Sequence, residues 1–157
     1  MYYSTVQSPI GLVTLAADDQ ALRELHLEGD RYFAGVPATW VYRPEHKILA
    51  QAAVELAEYF KGNAAFSVPV DFGGTDFRRK VWEELRLIPA GRTVSYAELA
   101  EKIGSPKAVR AVGTAVGRNP LCVVVPCHRV VTSSGGLGGY VAGLERKQFL
   151  LKLEGAV

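Results

Sequence analysis

The chain is poor in the residues from which metal centres and disulfide frameworks are built. Its 157 residues include two cysteines, Cys122 and Cys127, and three scattered histidines, His26, His46 and His128. The cysteines lack the Cys-x-x-Cys spacing of a redox motif and have too few companions for a zinc site. We therefore expect free thiols, no bound metal and no structural disulfide.

The chain also lacks long apolar runs and a leader pattern. No stretch approaches the roughly 20 apolar residues that a membrane-spanning helix needs, and residues 1–5 have no basic stretch or apolar core of a secretion signal. We therefore predict a cytoplasmic protein, nucleoid-associated if bacterial or archaeal, with no membrane partner. The glycine-rich segment Ser133–Tyr140 lacks the pattern of a nucleotide phosphate loop, which leaves a substrate-facing loop or a plain surface loop.

Charge is divided unevenly between the two halves of the chain. Residues 1–74 contain 5 Lys/Arg and 9 Asp/Glu, a net charge of −4, whereas residues 75–157 contain 13 Lys/Arg and 7 Asp/Glu, a net charge of +6. A basic half favours a polyanionic partner such as nucleic acid. Chance segregation of charges on solvated faces would give the same counts, so charge alone does not distinguish a nucleic-acid-binding half from a chance distribution.

The first part of the chain predicts a small domain of strands and one helix. The turn at Ser8–Gly11 divides Val6–Ala16 into a hairpin, and three leucines predict a third strand over Leu22–Leu27. Residues 29–44 are irregular, and apolar spacing predicts a helix over Glu45–Lys61. We place a boundary in the connector that follows, which gives domains 1–73 and 74–157.

The second part predicts four helices. Cap and stop signals place them over residues 76–88, 96–103, 106–116 and 144–154. Ser105 is the predicted cap of the third helix, with Pro106 as its first residue, and Phe149 is predicted to face inward in the fourth. The second and third helices, joined by a tight turn and with Arg110 and Arg118 on the third, form a candidate helix-turn-helix.

The segment Val125–Val130 holds the strongest chemical signal in the chain. Cys127 follows Pro126 and precedes His128 and Arg129, after a valine-rich run that predicts a buried strand. A thiol fixed where a strand ends and a rigid turn begins is suited to nucleophilic chemistry, and two basic neighbours favour its thiolate form. The sequence therefore predicts a reactive Cys127.

These segments together resemble the O6-alkylguanine-DNA alkyltransferases, also called methylated-DNA–protein-cysteine methyltransferases. The resemblance covers at least residues 74–154, and the shared order and spacing of its short motifs are highly specific. The motifs are Gly74–Phe77, Ser95–Tyr96, Arg110–Gly113, Asn119–Pro120, Pro126–Val130 and the glycine-rich loop that ends at Tyr140. The resemblance implies an α+β protein, with an α/β ribonuclease-H-like N-terminal domain and a mostly helical C-terminal domain that carries the helix-turn-helix.

The resemblance also implies a reaction. Members of this family transfer an alkyl group, such as methyl, from O6 of guanine in DNA to their own cysteine, irreversibly, once per molecule and without a cofactor. Cys127 would be the acceptor, and His128 and Glu154 would activate it through a water, because a neutral thiol is a poor nucleophile. Asn119 would tie the turn before the active-site segment to the helix-turn-helix.

The implied partner is double-stranded DNA containing O6-alkylguanine, bound in its minor groove by a monomer that flips out the damaged base. Arg110 would fill the gap left in the base stack, and Tyr96 would help to rotate the nucleotide out. Ala111 and Gly113 would keep the recognition helix slim, although small residues also serve close helix packing. The remaining implied contacts to the base, the leaving group or the DNA backbone are Val130, Ser133, Tyr140, Val141 and Lys147.

Two other functions remain open from the residues. A helix-turn-helix protein that senses alkyl lesions or redox state, with Cys122 and Cys127 as a switch, would bind DNA without transfer chemistry. A cysteine hydrolase built on Cys127 is the weaker alternative, because the other histidines lie in the other half and no oxyanion motif is present. The presence of Cys127 favours transfer, since lesion-sensing relatives of the family lack that cysteine.

Overall fold

The N-terminal part of the chain is a four-stranded sheet with one helix against it. A computed structural model describes residues 1–157. The elements of this part are β1 (Tyr2–Ser8), β2 (Gly11–Ala17), β3 (Leu22–Leu27), β4 (Val41–Tyr42) and α1 (Lys47–Phe60). The strand order is β3-β2-β1-β4, with antiparallel pairing except between β1 and β4, which are parallel. The predicted hairpin, third strand and helix are confirmed.

The short strand β4 lies inside the segment that the sequence predicts to be irregular. Val41 and Tyr42 pair with Tyr2 and Tyr3 at the edge of the sheet. Two residues are too few to show the alternation of apolar and polar side chains that identifies a strand. This strand is held by its pairing with β1 and could not be found from local pattern.

The C-terminal part is mostly helical. Its elements are α2 (Asp76–Leu85), β5 (Val94–Ser95), α3 (Tyr96–Lys102), α4 (Val109–Gly117), β6 (Val130–Val131) and α5 (Leu144–Leu153). The first two helices begin where the cap signals of the sequence place them: Thr75 accepts from the amide of Arg78, and Ser95 and Glu98 form a complete capping box. Strands β5 and β6 pair in parallel and so connect the start of α3 to the segment that follows Cys127.

Helices α3 and α4 pack together as the predicted pair, and both also contact α2. The indole of Trp82 on α2 donates to the carbonyl of Ala115 at 2.8 Å and fixes α4 against it. The predicted start of α4 is wrong, because Ser105 and Pro106 lie in a turn in which the amide of Ala108 donates to the carbonyl of Ser105. A Ser-Pro pair serves a turn as well as a helix start.

The predicted strand over the valine run is also wrong. Val123 has a positive φ of 73°, and the amide of Val125 donates to the carbonyl of Leu121 at 2.8 Å, so the run folds into a buried turn. A short apolar run indicates burial but does not distinguish a strand from other buried backbone. In α5, Phe149 is 39% exposed rather than inward, whereas Leu150 and Leu151 are fully buried.

One hydrophobic core joins both parts of the chain. Its 33 buried residues include Leu15 and Leu49 from the N-terminal part and Val112 and Leu150 from the C-terminal part. The boundary between residues 73 and 74 therefore stays a prediction, since burial does not divide the chain there. No helix combines the length and the apolar character that a membrane-spanning segment needs.

Candidate active site

An open cleft of about 520 Å³ reaches Cys127. It is lined by residues of α3, α4, the glycine-rich loop and the segment that precedes β4. The cleft brings together six residues that the sequence singled out, which are Tyr96, Arg110, Gly113, Cys127, Tyr140 and Val141. Cys127 is only 2% exposed, so a reacting group must enter the cleft to meet its sulfur.

The other predicted site residues lie outside the cleft lining. Ala111 on α4 and Ser133 in the glycine-rich loop are exposed and do not line it. A second group is buried in the protein around the Cys127 turn and consists of Asn119, His128, Val130, Lys147 and Glu154. These five side chains can act on the reaction only through Cys127, through each other or through the backbone that they hold.

The backbone around Cys127 is held by Asn119. The side-chain amide of Asn119 donates to the carbonyl of Val125 at 2.7 Å, and its oxygen accepts from the amide of Leu121 at 2.9 Å. Cys127 then begins a short 3₁₀ turn that ends at Arg129. Because Asn119 directly follows α4 and its C-cap residue, it connects the helix pair to the turn that presents the sulfur.

The thiol of Cys127 has a lowered pKa. The largest cause of this lowering is hydrogen bonding with the neighbouring Cys122 thiol, whose own pKa is raised. A hydrogen bond from Asn119 and the charge of Lys147 lower the pKa of Cys127 further, whereas burial opposes them by raising it. The sequence predicts instead that His128 and Arg129 favour the thiolate. In the structure both side chains point to Glu154, so adjacency in sequence misidentified the groups that stabilise the thiolate.

His128 and Glu154 form a buried pair. Nε2 of His128 donates to Oε2 of Glu154 at 2.7 Å, and the exposed fractions of the two side chains are 0% and 1%. Burial lowers the pKa of His128, although the Glu154 carboxylate opposes this effect. Nδ1 of His128 is buried and has no partner. The ring is therefore neutral at neutral pH, with its proton on Nε2 and a free acceptor on Nδ1.

Glu154 is held by two further side chains, and neither contact was predicted from the sequence. Arg129 donates to both carboxylate oxygens at 2.8 Å, and the hydroxyl of Tyr59 donates to Oε2 at 2.6 Å. Burial would raise the pKa of Glu154, but hydrogen bonds from Arg129 and His128 outweigh it and lower the pKa to about 2. Arg129 stands beside Cys127 in sequence and could have been suspected, whereas Tyr59 looks like any apolar residue of α1.

Lys147 fastens the glycine-rich loop. Its ammonium is buried and donates to the carbonyls of Val130, Leu137 and Gly139. Burial lowers its pKa to about 8, so the group is charged at neutral pH. Since Lys147 does not line the cleft, it shapes the loop and places a positive charge near Cys127.

Two tyrosines, Tyr96 and Tyr140, line the cleft together with Cys127. Tyr96 packs against Gly113 on one side and Gly138 on the other, where a side chain on Gly138 would come within 3.0 Å of its hydroxyl. The hydroxyl of Tyr140 is buried beside the thiol of Cys122, and no nitrogen or oxygen atom hydrogen-bonds to it. Burial raises the pKa of both phenols, so both hydroxyls are available as hydrogen-bond donors.

The cleft also has an outer wall that the sequence did not predict. Arg31 and Tyr32, from the segment before β4, line it. The guanidinium of Arg118, the C-cap residue of α4, lies 3.7 Å from the centre of the Tyr32 ring, and the amide of Arg31 donates to the carbonyl of Val141 at 3.3 Å. No group of three or more His, Cys, Asp or Glu side chains is arranged to hold a metal ion.

Comparison with known proteins supplies a family for this arrangement. The family model described as "6-O-methylguanine DNA methyltransferase, DNA binding domain" matches residues 76–156, and that described as "6-O-methylguanine DNA methyltransferase, ribonuclease-like domain" matches residues 1–72. A methylated-DNA–protein-cysteine methyltransferase of Methanosarcina acetivorans is 44% identical over 157 residues, which are 99% of each chain. One of Mycolicibacterium paratuberculosis is 48% identical over 97% of this chain and 91% of its own.

Solved structures agree with these matches. A crystal structure of Mycobacterium tuberculosis OGT in complex with DNA has a TM-score of 0.92 at 42% identity, over 99% of this chain and 94% of that chain. An O6-methylguanine DNA methyltransferase from Methanococcus jannaschii has a TM-score of 0.67 at 29% identity, over 98% of this chain and 94% of that chain. The α+β fold, with a ribonuclease-like N-terminal domain and a helical C-terminal domain, is therefore confirmed.

Proposed function

The chain belongs to the 6-O-methylguanine DNA methyltransferase family, and we propose that Cys127 is the residue with which it repairs DNA. The protein is a methylated-DNA–protein-cysteine methyltransferase, which moves an alkyl group from O6-alkylguanine in DNA to its own cysteine. The observation that carries the assignment to Cys127 is its position: a thiol of lowered pKa that lines the cleft and directly precedes His128, which is paired with Glu154.

The transfer is a substitution at carbon. The sulfur of Cys127 forms a bond to the alkyl carbon while the bond from that carbon to O6 of guanine breaks, and the electron pair leaves with the base. The product is a thioether, which has no route back to the thiol, so each molecule acts once. No electrons are gained or lost overall, so the step needs no redox cofactor.

His128 and Glu154 prepare the thiolate. The free Nδ1 of His128 can accept the thiol proton through a bridging water, while Nε2 keeps its proton against Glu154. The positive charge that develops on the ring is then stabilised by the carboxylate. Asn119 acts by holding the Cys127 turn, through its bonds to the carbonyl of Val125 and the amide of Leu121.

The two cleft tyrosines serve the departing guanine. The buried hydroxyl of Tyr140, which has no nitrogen or oxygen partner, is a donor for the negative charge that grows on the base, and Tyr96 holds the base and helps to rotate it into the cleft. Lys147 takes a different part from the direct contact that the resemblance implies. Its three carbonyl acceptors occupy it, so it supports the loop and the charge balance of Cys127.

The substrate is double-stranded DNA approached by α4 from the minor groove. Arg110 is exposed at the cleft and is placed to occupy the gap left by a flipped nucleotide, and the neighbouring Ala111 offers little bulk to the groove. Ser133 on the exposed glycine-rich loop contacts the DNA backbone, and Val141 and the backbone of Val130 border the base. We propose that the protein works as a monomer in the cytoplasm, where a reducing environment keeps its two cysteines free.

The alternative of a lesion-sensing protein without transfer is not favoured by any feature of the site. Such a protein needs a pocket for the damaged base but has no use for a thiol of lowered pKa backed by a buried acid–base pair. The cysteine hydrolase is disfavoured further, because His26 and His46 do not line the cleft. Transfer accounts for the cleft, the thiol and the pair together.

Stoichiometry tests the proposed function. The protein is titrated with a duplex oligonucleotide that carries one O6-methylguanine, and the remaining lesion is counted. We expect one lesion to be removed per protein molecule, with no further repair when fresh duplex is added. Multiple turnovers, or binding without lesion loss, would contradict the proposal. Cys122→Ser is the matched control, since it changes the neighbouring thiol and should leave the stoichiometry at one.

A further inference from the structure

Tyr59 is the side chain through which the N-terminal half touches the His128–Glu154 pair. It lies near the end of α1, is 1% exposed, and donates from its hydroxyl to Oε2 of Glu154 at 2.6 Å. We propose that Tyr59 is a positioning residue for alkyl transfer, which fixes this carboxylate and limits its basicity toward His128. The proposal rests on the function proposed for Cys127 and extends the machinery of the reaction to the ribonuclease-like half.

The reason lies in how many donors share one carboxylate oxygen. Oε2 of Glu154 accepts from Tyr59, from Nε2 of His128 and from Arg129, at 2.6, 2.7 and 2.8 Å. Each donor draws negative charge from the oxygen, and hydrogen bonds to the charged form make a carboxylate a weaker base. The proton therefore stays on Nε2 of His128, and Nδ1 stays free to accept the proton of the thiol.

The ring of Tyr59 packs among aromatic side chains, and its hydroxyl has one polar partner, Glu154. The ring packs against Phe60 and Phe66, with centroid distances of 5.2 and 5.7 Å. Burial and the adjacent Glu154 raise the pKa of Tyr59, so the hydroxyl keeps its proton and remains a donor. Phenylalanine at this position would keep the packing and remove only the bond to Glu154.

The central experiment compares wild-type protein with Tyr59→Phe. Without the hydroxyl, more negative charge remains on the oxygen that faces His128, which favours the imidazolium. We expect the pKa of His128, followed by NMR of ¹⁵N-labelled histidine, to rise by about one unit. The acid limb of the rate of methyl transfer from duplex DNA should move upward in pH by a similar amount. An unchanged His128 titration would overturn the proposal.

Two controls separate this role from packing. Tyr42→Phe removes a hydroxyl at a residue that is 58% exposed and should change neither readout. In a Glu154→Gln background, Tyr59→Phe should produce no further shift, because Tyr59 acts through the carboxylate. A shift of equal size in both backgrounds would contradict the proposed route.

A second variant covers the case in which Tyr59→Phe folds poorly. Incorporating 3-fluorotyrosine at position 59 keeps the ring and the hydroxyl but makes the hydroxyl a stronger donor, so the pKa of His128 should fall. A rise or no change would count against the proposal. The NMR titration needs no DNA and no transfer, so it tests Tyr59 even if the wild-type protein transfers no methyl group. Failure of the contact and failure of the proposed function are therefore distinguishable.

Discussion

Replacing Glu154 with glutamine should cost stability in a way that depends on pH. The carboxylate is 1% exposed and accepts hydrogen bonds from three side chains. Its pKa falls from 4.5 to about 2 on folding. With ~1.36 kcal/mol for each pKa unit, the charged form stabilises the folded state by about 3 kcal/mol at neutral pH. Glutamine loses this contribution and leaves the buried Arg129 without its counter-charge.

The sign of the pH dependence follows from the lowered pKa. A carboxyl group whose folded pKa is depressed contributes its full stability above the unfolded pKa of 4.5, and loses it as the pH falls toward about 2. The gap in unfolding free energy between wild type and Glu154→Gln should therefore be about 3 kcal/mol at neutral pH and shrink through this window.

The difference in unfolding free energy between wild type and Glu154→Gln is measured by urea unfolding, followed by circular dichroism, at a series of pH values. Glu83→Gln is the matched control, because Glu83 is an exposed helical glutamate with no hydrogen-bond partner among the side chains, and its gap should stay near zero throughout. A gap for Glu154→Gln that is independent of pH, or below about 1 kcal/mol at neutral pH, would refute the electrostatic account of this pair.

Three further substitutions test how the sulfur and its cleft are held. Asn119→Ala leaves two buried backbone groups unpaired and should lower the unfolding free energy by about 2–4 kcal/mol, measured by urea unfolding. A loss below about 1 kcal/mol would contradict its role in the turn. Gly138→Ala places a methyl group 3.0 Å from the Tyr96 hydroxyl at a φ of 72° and should slow transfer, whereas Gly135→Ala, in the same loop at a φ of 90° with no atom within 4 Å of the added methyl group, should slow it less; equal transfer rates in the two variants would argue against the contact. Lys147→Met removes the nearby positive charge and should raise the pKa of Cys127, as measured by the pH dependence of iodoacetamide labelling. An unchanged labelling curve would show that the charge of Lys147 does not stabilise the thiolate.

The sequence was most informative where chemistry depends on local order. Cys127 and its neighbours His128 and Arg129 fall in one short segment, and a capping box at Ser95 marks the start of α3. These signals depend on residues close together in the chain, so they predict a nucleophile at Cys127, and the helix pair that they predict is present in the structure. The irregular turn at Val123 escaped prediction because its burial is visible in the sequence and its positive φ is not.

The supporting groups around the sulfur could not be predicted in the same way. Tyr59 reaches Glu154 across 95 residues, and its helix offers only an apolar spacing that any core tyrosine would share. Arg31 and Tyr32 line the cleft from a segment without periodicity. Cys122 affects the pKa of Cys127 through a turn that local patterns misassigned as a strand. Each of these relations arises from tertiary packing, which leaves no periodic trace in the chain.

Identifying the residue that carries the transferred methyl group tests the central claim most directly. The protein is incubated with a duplex carrying one O6-methylguanine, digested, and its peptides are analysed by mass spectrometry, beside Cys127→Ser as the control. We predict one methylene equivalent on the peptide that contains Cys127, fragment ions that place it on Cys127 and exclude Cys122, and no gain in the variant. A methyl group found on Cys122, or no gain on any peptide while the lesion is bound, would contradict the assignment of Cys127 as the acceptor.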